Sequence, residues 1–111
     1  EYAEDKPFDP KRSDIYSLGV TLHVLLTGYF PYDISEDIDK RRIFILPELS
    51  PSCRNLILKM IRKNPKRRIS LKEVLNHPWL SDKSNAEEHL LTIRSATSIL
   101  TKRAKKKLHK S

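Results

Sequence analysis

The residues able to do chemistry are few and widely spaced. Asp14 stands at the mouth of an apolar stretch, Arg62, Lys63, Lys66, Arg67 and Arg68 form a basic run, and Cys53 is the only thiol. A phosphate-cradling loop needs clustered glycines so that backbone N–H groups can converge, and the two glycines here, Gly19 and Gly28, are too far apart in the chain to make one. The four histidines, His23, His77, His89 and His109, have no spacing that sets two of them on one helix face beside a carboxylate. Neither a metal site nor a hydrolytic constellation has support from that pattern. A lone cysteine closes no intrachain disulfide and, without a second thiol nearby, makes no zinc site, which points to a reducing compartment. His23, inside an apolar run, reads as a packed histidine, and His77, ahead of Pro78, reads as a loop or capping residue.

Asp14 and Arg68 carry two readings each. An acid at the start of a helix stabilises it through its cap and dipole, by about 0.5 to 2 kcal/mol. If that helix is central, the same carboxylate can instead be buried and hold neighbouring backbone N–H groups in place. Arg68 belongs either to a solvated basic face or, because Ile69 beside it should be buried, to an anchor against an acid.

The elements that position these residues follow from punctuation and period. Pro7 and Pro10 among charges make the stretch before Arg12 a loop. Ser13 or Asp14 caps a helix bearing Ile15, Leu18, Val20, Leu22, Val24, Leu25 and Leu26, whose apolar positions cover most of the circumference, so it is predicted to be buried all round. Gly28 and Pro31 end it near Thr27. Asp33 to Arg42 is polar and long enough for one short helix, and Ile43 to Leu46 reads as a packed loop or a very short extended segment. Cys53, Leu56, Ile57, Met60 and Ile61 recur at helical spacing between Ser50 or Ser52 and Lys63. Burying those five side chains contributes about 7 to 15 kcal/mol. Asn64 and Pro65 break that helix, and Ser70 with Glu73 forms a capping box for a short helix reaching about Asn76. After Ser81 the composition predicts a linker, followed by Leu90, Ile93, Thr97, Leu100, Ala104 and Leu108 near heptad spacing around a basic cluster at Lys102, Arg103, Lys105, Lys106 and Lys107.

The 111 residues, 38% hydrophobic and 32% charged, suit one small domain or a piece of a larger one. Of the net charge of +8, most lies in residues 81–111. There is no apolar run long enough to span a bilayer, and the acidic start is unlike a secretory signal, so the expected location is intracellular, cytoplasmic or nuclear, with no membrane partner. Met60 as the sole methionine makes a fragment of a longer protein the expectation.

Several of these stretches together resemble one family. Asp14-Ile-Tyr-Ser-Leu-Gly19-Val, then Leu-Leu-Thr-Gly28 and Pro31-Tyr32, resemble the central helix of eukaryotic serine/threonine protein kinases and the loop after it. Leu56-Ile-Leu-Lys-Met-Ile61, Asn64-Pro-Lys-Arg-Arg68-Ile-Ser70 and Glu73-Val-Leu-Asn-His-Pro-Trp79-Leu80 resemble the last helices of the same domain, in order. The His77-Pro-Trp-Leu80 ending is most similar to calcium/calmodulin-dependent and related kinases, and Pro31-Tyr32-Asp33 with Asp37-Ile-Asp-Lys40 resembles the testis-specific branch. Tyr16 where tryptophan is usual, His23 where an aromatic is common and Asn64 in place of aspartate are departures.

The resemblance implies an all-α fold, the C-terminal helical part of a bilobal kinase over residues 1–80, with a basic helix or tail over 81–111. It assigns Asp14 to holding the backbone of the catalytic loop, and Arg68 to an ion pair with the glutamate of the Ala-Pro-Glu motif, for which Glu1 is the match. The Gly-rich loop, the strand lysine, the catalytic-loop Asp and Asn and the magnesium-binding Asp all precede that motif in the family. The 111 residues are therefore expected to hold no catalytic, cofactor or metal residue and to transfer no phosphoryl group alone. ATP and magnesium are expected for the full-length parent, whose partners would be protein substrates. The tail reads as a solvated or flexible end, as a basic amphipathic helix for calmodulin or another acidic partner, or as a nuclear import or nucleic-acid contact. With no aromatic among its charges, nucleic-acid binding there would be weak. The alternative function is a noncatalytic, kinase-like interaction or scaffold module whose tail binds a partner.

Overall fold

A computed structural model describes residues 11–33 and 40–110, with side chains through residue 104. The loop predicted before Arg12, Glu1, the short helix expected within Asp33 to Arg42 and the side chains of Lys105, Lys106 and Lys107 lie wholly or largely outside the described residues. Five α-helices carry the fold: α1 (Arg12–Thr27), α2 (Pro51–Met60), α3 (Leu71–Leu75), α4 (Pro78–Ser81) and α5 (Ala86–Lys110). Among the described residues there is no strand; a single antiparallel bridge joins Tyr32 to Ile43. The protein is all-α, as predicted.

The core forms where α1 crosses α2. The five α2-region residues predicted from helical spacing, Cys53, Leu56, Ile57, Met60 and Ile61, are each at most 1% exposed. Ser50 caps α2, its hydroxyl accepting from the Cys53 N–H, and Pro51 follows where a missing N–H costs nothing. From α1 the stripe Ile15, Gly19, His23 and Leu26 turns inward. A Cβ at Gly19 would lie 2.7 Å from Cβ of Met60 and 2.9 Å from Cγ2 of Ile61, so only a residue without a side chain lets the two helices approach this closely. The prediction that α1 is buried all round is overturned: Leu18 is 47% exposed, because α2 covers one stripe and α5 only the end of another.

The start of α1 also differs from the prediction. Its N-cap is Lys11, without a side-chain cap bond, so neither Ser13 nor Asp14 caps it. Asp14 lies in the first turn and is exposed. The helix begins at Arg12 because that residue is tied to Arg68 twice, its Nη1 donating to the Arg68 carbonyl and its own carbonyl accepting from Arg68 Nη1. At the other end Gly28 takes the left-handed conformation at φ 83° and its N–H bonds the Val24 carbonyl, as the glycine stop predicts.

Beyond α2 the predicted punctuation is realised. Asn64 caps a 3₁₀ turn over Pro65–Arg67, Ser70 and Glu73 form both halves of the capping box on α3, and His77 caps α4 by accepting from the Trp79 N–H. The linker predicted after Ser81 is absent. Asp82 caps a 3₁₀ turn over Lys83–Asn85 that leads straight into α5. The first turns of α5 are pinned by side chains, described below, and this fixes its rotation. Leu91, Ser95 and Ser98 then flank the end of α1 across a cleft of about 490 Å³, while Leu90, Ile93 and Leu100 of the heptad pattern are more than half exposed.

Candidate functional site

Arg68 is the centre of the first constellation. It is 8% exposed, and among the described residues its hydrogen bonds all go to main-chain carbonyls: Nε to Arg62 at 2.8 Å, Nη1 to Arg12 at 2.6 Å and Nη2 to Lys63 at 3.1 Å. Its guanidinium also lies 5.0 Å from the centre of the Tyr16 ring, a cation–π contact. A planar fork with five donors can satisfy carbonyls on two elements at once, here the start of α1 and the end of α2. Burial pulls the Arg68 pKa below the ordinary guanidinium range; Tyr16 works against that pull and the Arg12 charge adds to it. Of the two sequence readings of Arg68, its burial overturns the solvated face; the described part of its anchor consists of carbonyls, and Glu1, the acid assigned by resemblance, lies outside the described residues. The positive charge is hydrogen-bonded there, with no acid among the described residues paired to it.

Asp14 sits one turn into α1, and its carboxylate accepts no hydrogen bond from a described residue. The structure therefore does not bring Asp14 and Arg68 into one site. Asp14 is exposed, and the packed face of α1 begins at Ile15. Lys102 and Arg103 are exposed on α5.

His23 is fully buried and its hydrogen bonds define its tautomer. Nε2 accepts from the Leu46 N–H at 3.2 Å, so the ring proton is on Nδ1, which donates to the Tyr29 carbonyl at 2.6 Å. It closes the loop after α1 onto the segment before α2, a packing role. His77 is likewise structural, with Nε2 bonded to Asn55 Oδ1 at 2.8 Å. Among the described residues no three His, Cys, Asp or Glu side chains converge to hold a metal ion. The residues present do not fit magnesium or a nucleotide phosphate chain in the kinase manner. Cys53 is buried, and desolvation, with a smaller contribution from the Glu88 charge, pushes its thiol up to about 12, away from reactivity.

Sequence reasoning missed Glu88. Its carboxylate accepts from the Ser50 N–H at 2.9 Å, from the Ser50 hydroxyl and from the Trp79 indole N–H at 2.9 Å. Burial alone would raise its pKa, but these hydrogen bonds and the neighbouring His89 together hold it below the ordinary 4.5. Asn85 and His89 both donate to the Trp79 carbonyl, and His89 meets the Trp79 ring edge-on at 4.5 Å. The partners lie 38 and 9 positions from Glu88, and its one local signal is a place in the first turn of a helix, which two adjacent glutamates share.

No helix among the described residues is long and apolar enough to cross a membrane. Compared with known proteins, residues 1–80 match the protein kinase domain family. The chain is 38% identical over 86 residues to serine/threonine-protein kinase SAPK9 of Oryza sativa subsp. japonica, covering 67% of this chain and 24% of that protein. It is 38% identical over 79 residues to an SNF-related serine/threonine-protein kinase of Rattus norvegicus, covering 66% and 11%, and 38% identical over 96 residues to protein lin-2 of Caenorhabditis elegans, covering 79% and 10%. It thus spans a quarter or less of each of these relatives. With the helices, the capping box and the buried arginine on the page, the conclusion follows from the match over residues 1–80: the chain belongs to the protein kinase domain family.

Proposed function

We propose that this chain is the C-terminal lobe segment of a serine/threonine protein kinase, whose full-length parent phosphorylates protein substrates from ATP. The observation that carries the reading is the buried Arg68 fork, which ties the start of α1 to the end of α2 with its charge unneutralised by a described group. Glu1 is the carboxylate assigned to that charge. Asp14, exposed and uncommitted at the start of α1, is assigned to the backbone N–H groups of the parent's catalytic loop. Both are positioning residues. In the parent, magnesium and ATP supply the transferable phosphoryl group and neutralise its charge, and residues upstream of this segment would hold them. The His77-Pro-Trp-Leu80 ending supports a place among the calcium/calmodulin-dependent and related kinases, and the testis-specific branch rests on Pro31-Tyr32-Asp33 and Asp37 to Lys40 alone.

At the tail, exposed Leu90, Ile93 and Leu100 beside Lys102 and Arg103 support a calmodulin-like or other acidic partner. Absence of a mobility shift with calcium-loaded calmodulin at micromolar concentrations removes calmodulin from that reading. The main reading is tested by determining the coding sequence upstream of Glu1 and assaying the resulting chain with ATP, magnesium and a protein substrate. An in-frame His-Arg-Asp and Asp-Phe-Gly pair with phosphoserine or phosphothreonine formation is expected, and Asp14→Ala should lower the rate with little change in KM for substrate. A start codon directly before Glu1, or no phosphorylation, contradicts the reading in favour of a noncatalytic scaffold.

A further inference from the structure

Beside the Arg68 fork lies a groove of about 770 Å³ whose described lining is mostly cationic. Arg12 of α1, Lys59 of α2, Arg62, Lys66 and Arg67 of the following turn and Lys72 of α3 line it, over a floor that includes buried Ile69 and Arg68. Such an assembly of like charges is costly and is tolerated only where water or an anion screens it. Among the described residues the one acid in the wall is Glu73, and it is already committed: its Oε1 accepts from the Ser70 N–H at 3.1 Å and the Ser70 hydroxyl at 2.9 Å to close the capping box. Arg12 and Arg62 each give one donor to a carbonyl, to Arg68 at 2.9 Å and Arg67 at 3.3 Å, and among the described residues their other donors find no acceptor. The ammonium groups of Lys59, Lys66 and Lys72 make no hydrogen bond or ion pair with a described residue. The field is felt by neighbouring groups: burial first, and then Lys59, hold the His77 pKa below 6.5.

We infer that this groove is a docking site for an acidic peptide segment, one carrying several carboxylates along an extended backbone. The cations are distributed over four structural elements instead of converging on one point, so a single small anion could meet only a fraction of them, whereas spaced carboxylates could meet each in turn. Among the described residues no aromatic side chain lines the groove, so none of them offers the stacking platform that single-stranded nucleic acid uses. Its concave shape does not fit a flat lipid surface. Asn76, at the rim, adds an amide for a peptide backbone. The assignment is independent of phosphotransfer, and no residue of the α5 cluster is among the described residues that line the groove.

The test uses the 111-residue chain and a fluorescein-labelled octaglutamate peptide, followed by fluorescence anisotropy at two salt concentrations. Saturable binding that weakens with salt is expected. The double variant Lys66→Glu with Arg67→Glu, and separately Lys72→Gln, should weaken it, the first by about tenfold or more and the second by about two- to threefold, from the loss of exposed charge pairs. The double variant Lys102→Ala with Arg103→Ala should change it by less than twofold. All substituted side chains are exposed, and far-UV circular dichroism matched to the unsubstituted chain establishes that each variant is folded; Lys72→Gln, which introduces no charge, gives a second reading if the charge reversals lose helicity. Absence of binding, equal affinity in the groove variants, or loss only in the α5 variant overturns the proposal. So does tighter, groove-dependent binding of a single-stranded oligonucleotide or of anionic phospholipid vesicles.

Discussion

Arg68 and Arg103 each sit in a run of five cations, yet the two arginines meet opposite fates. Arg68 is 8% exposed, with its fork spent on three carbonyls from two elements, whereas Arg103 stands in solvent on the distal half of α5. What separates them is the neighbouring apolar pattern. Ile69 is drawn into the core with Ile61 and Val74, and the backbone that follows it inward carries Arg68 along. Near Arg103 the apolar side chains stay largely in solvent: Ile99 and Leu100 are 49% and 65% exposed. A charge is buried when the core takes its neighbour and its donors find acceptors at the new depth. Between the two regions lies Glu88, a carboxylate that fixes the start of α5 to the cap of α2 and to Trp79.

The comparison predicts a gradient of mutational cost, measured as unfolding free energy in urea. Arg68→Ala should cost the most, about 3 to 5 kcal/mol, because three carbonyls lose their donor and α1 loses its tie to the end of α2. Gly19→Ala, within the same interlocked region but at the helix crossing, should cost about 1 to 3 kcal/mol, since Cβ of Met60 and Cγ2 of Ile61 would have to move. Equal stability of Gly19→Ala would mean the close approach is dispensable.

Glu88→Gln should cost about 1 to 2 kcal/mol at neutral pH, through the loss of charge-assisted bonds from Ser50 and Trp79. Its sign with pH follows from the depressed carboxyl. A folded pKa below 4.5 means the stabilisation is complete above 4.5 and is lost as pH falls through the lower folded value. The difference between the unsubstituted chain and Glu88→Gln should therefore shrink below pH 4.5; a constant difference down to pH 3 would rule out an ionised Glu88 as the fastener. Lys102→Ala with Arg103→Ala should fall within about 0.5 kcal/mol of the unsubstituted chain, as exposed surface positions do. A larger loss would show that the distal half of α5 is coupled to the core.

What could be read from the sequence was local. The α2 stripe, the Ser70 and Glu73 box, the Gly28 stop and the packed His23 each depend on residues a few positions apart, and helical period or capping chemistry reports them directly. Asp14 was misplaced as a possible cap because the boundary of α1 is set by Arg68, 56 residues away. The same distance hid the carbonyl character of the Arg68 anchor. The linker expected after Ser81 reflected polar composition, yet Asp82, Ser84 and Asn85 use those polar groups to cap and tie the chain. The heptad pattern on α5 was visible, but the side that packs was decided by Glu88 and His89 at its start.

The most direct test of the central claim, that Arg68 acts as a multidentate fork joining two elements, is the conservative substitution Arg68→Lys in urea denaturation. Lysine keeps the charge and offers one compact donor group in place of the planar fork. The account predicts a loss of about 2 kcal/mol or more, since a single ammonium cannot span the carbonyls of Arg12, Arg62 and Lys63. A stability within about 0.5 kcal/mol of the unsubstituted chain would contradict it, and would make Arg68 one more surface cation like those on α5.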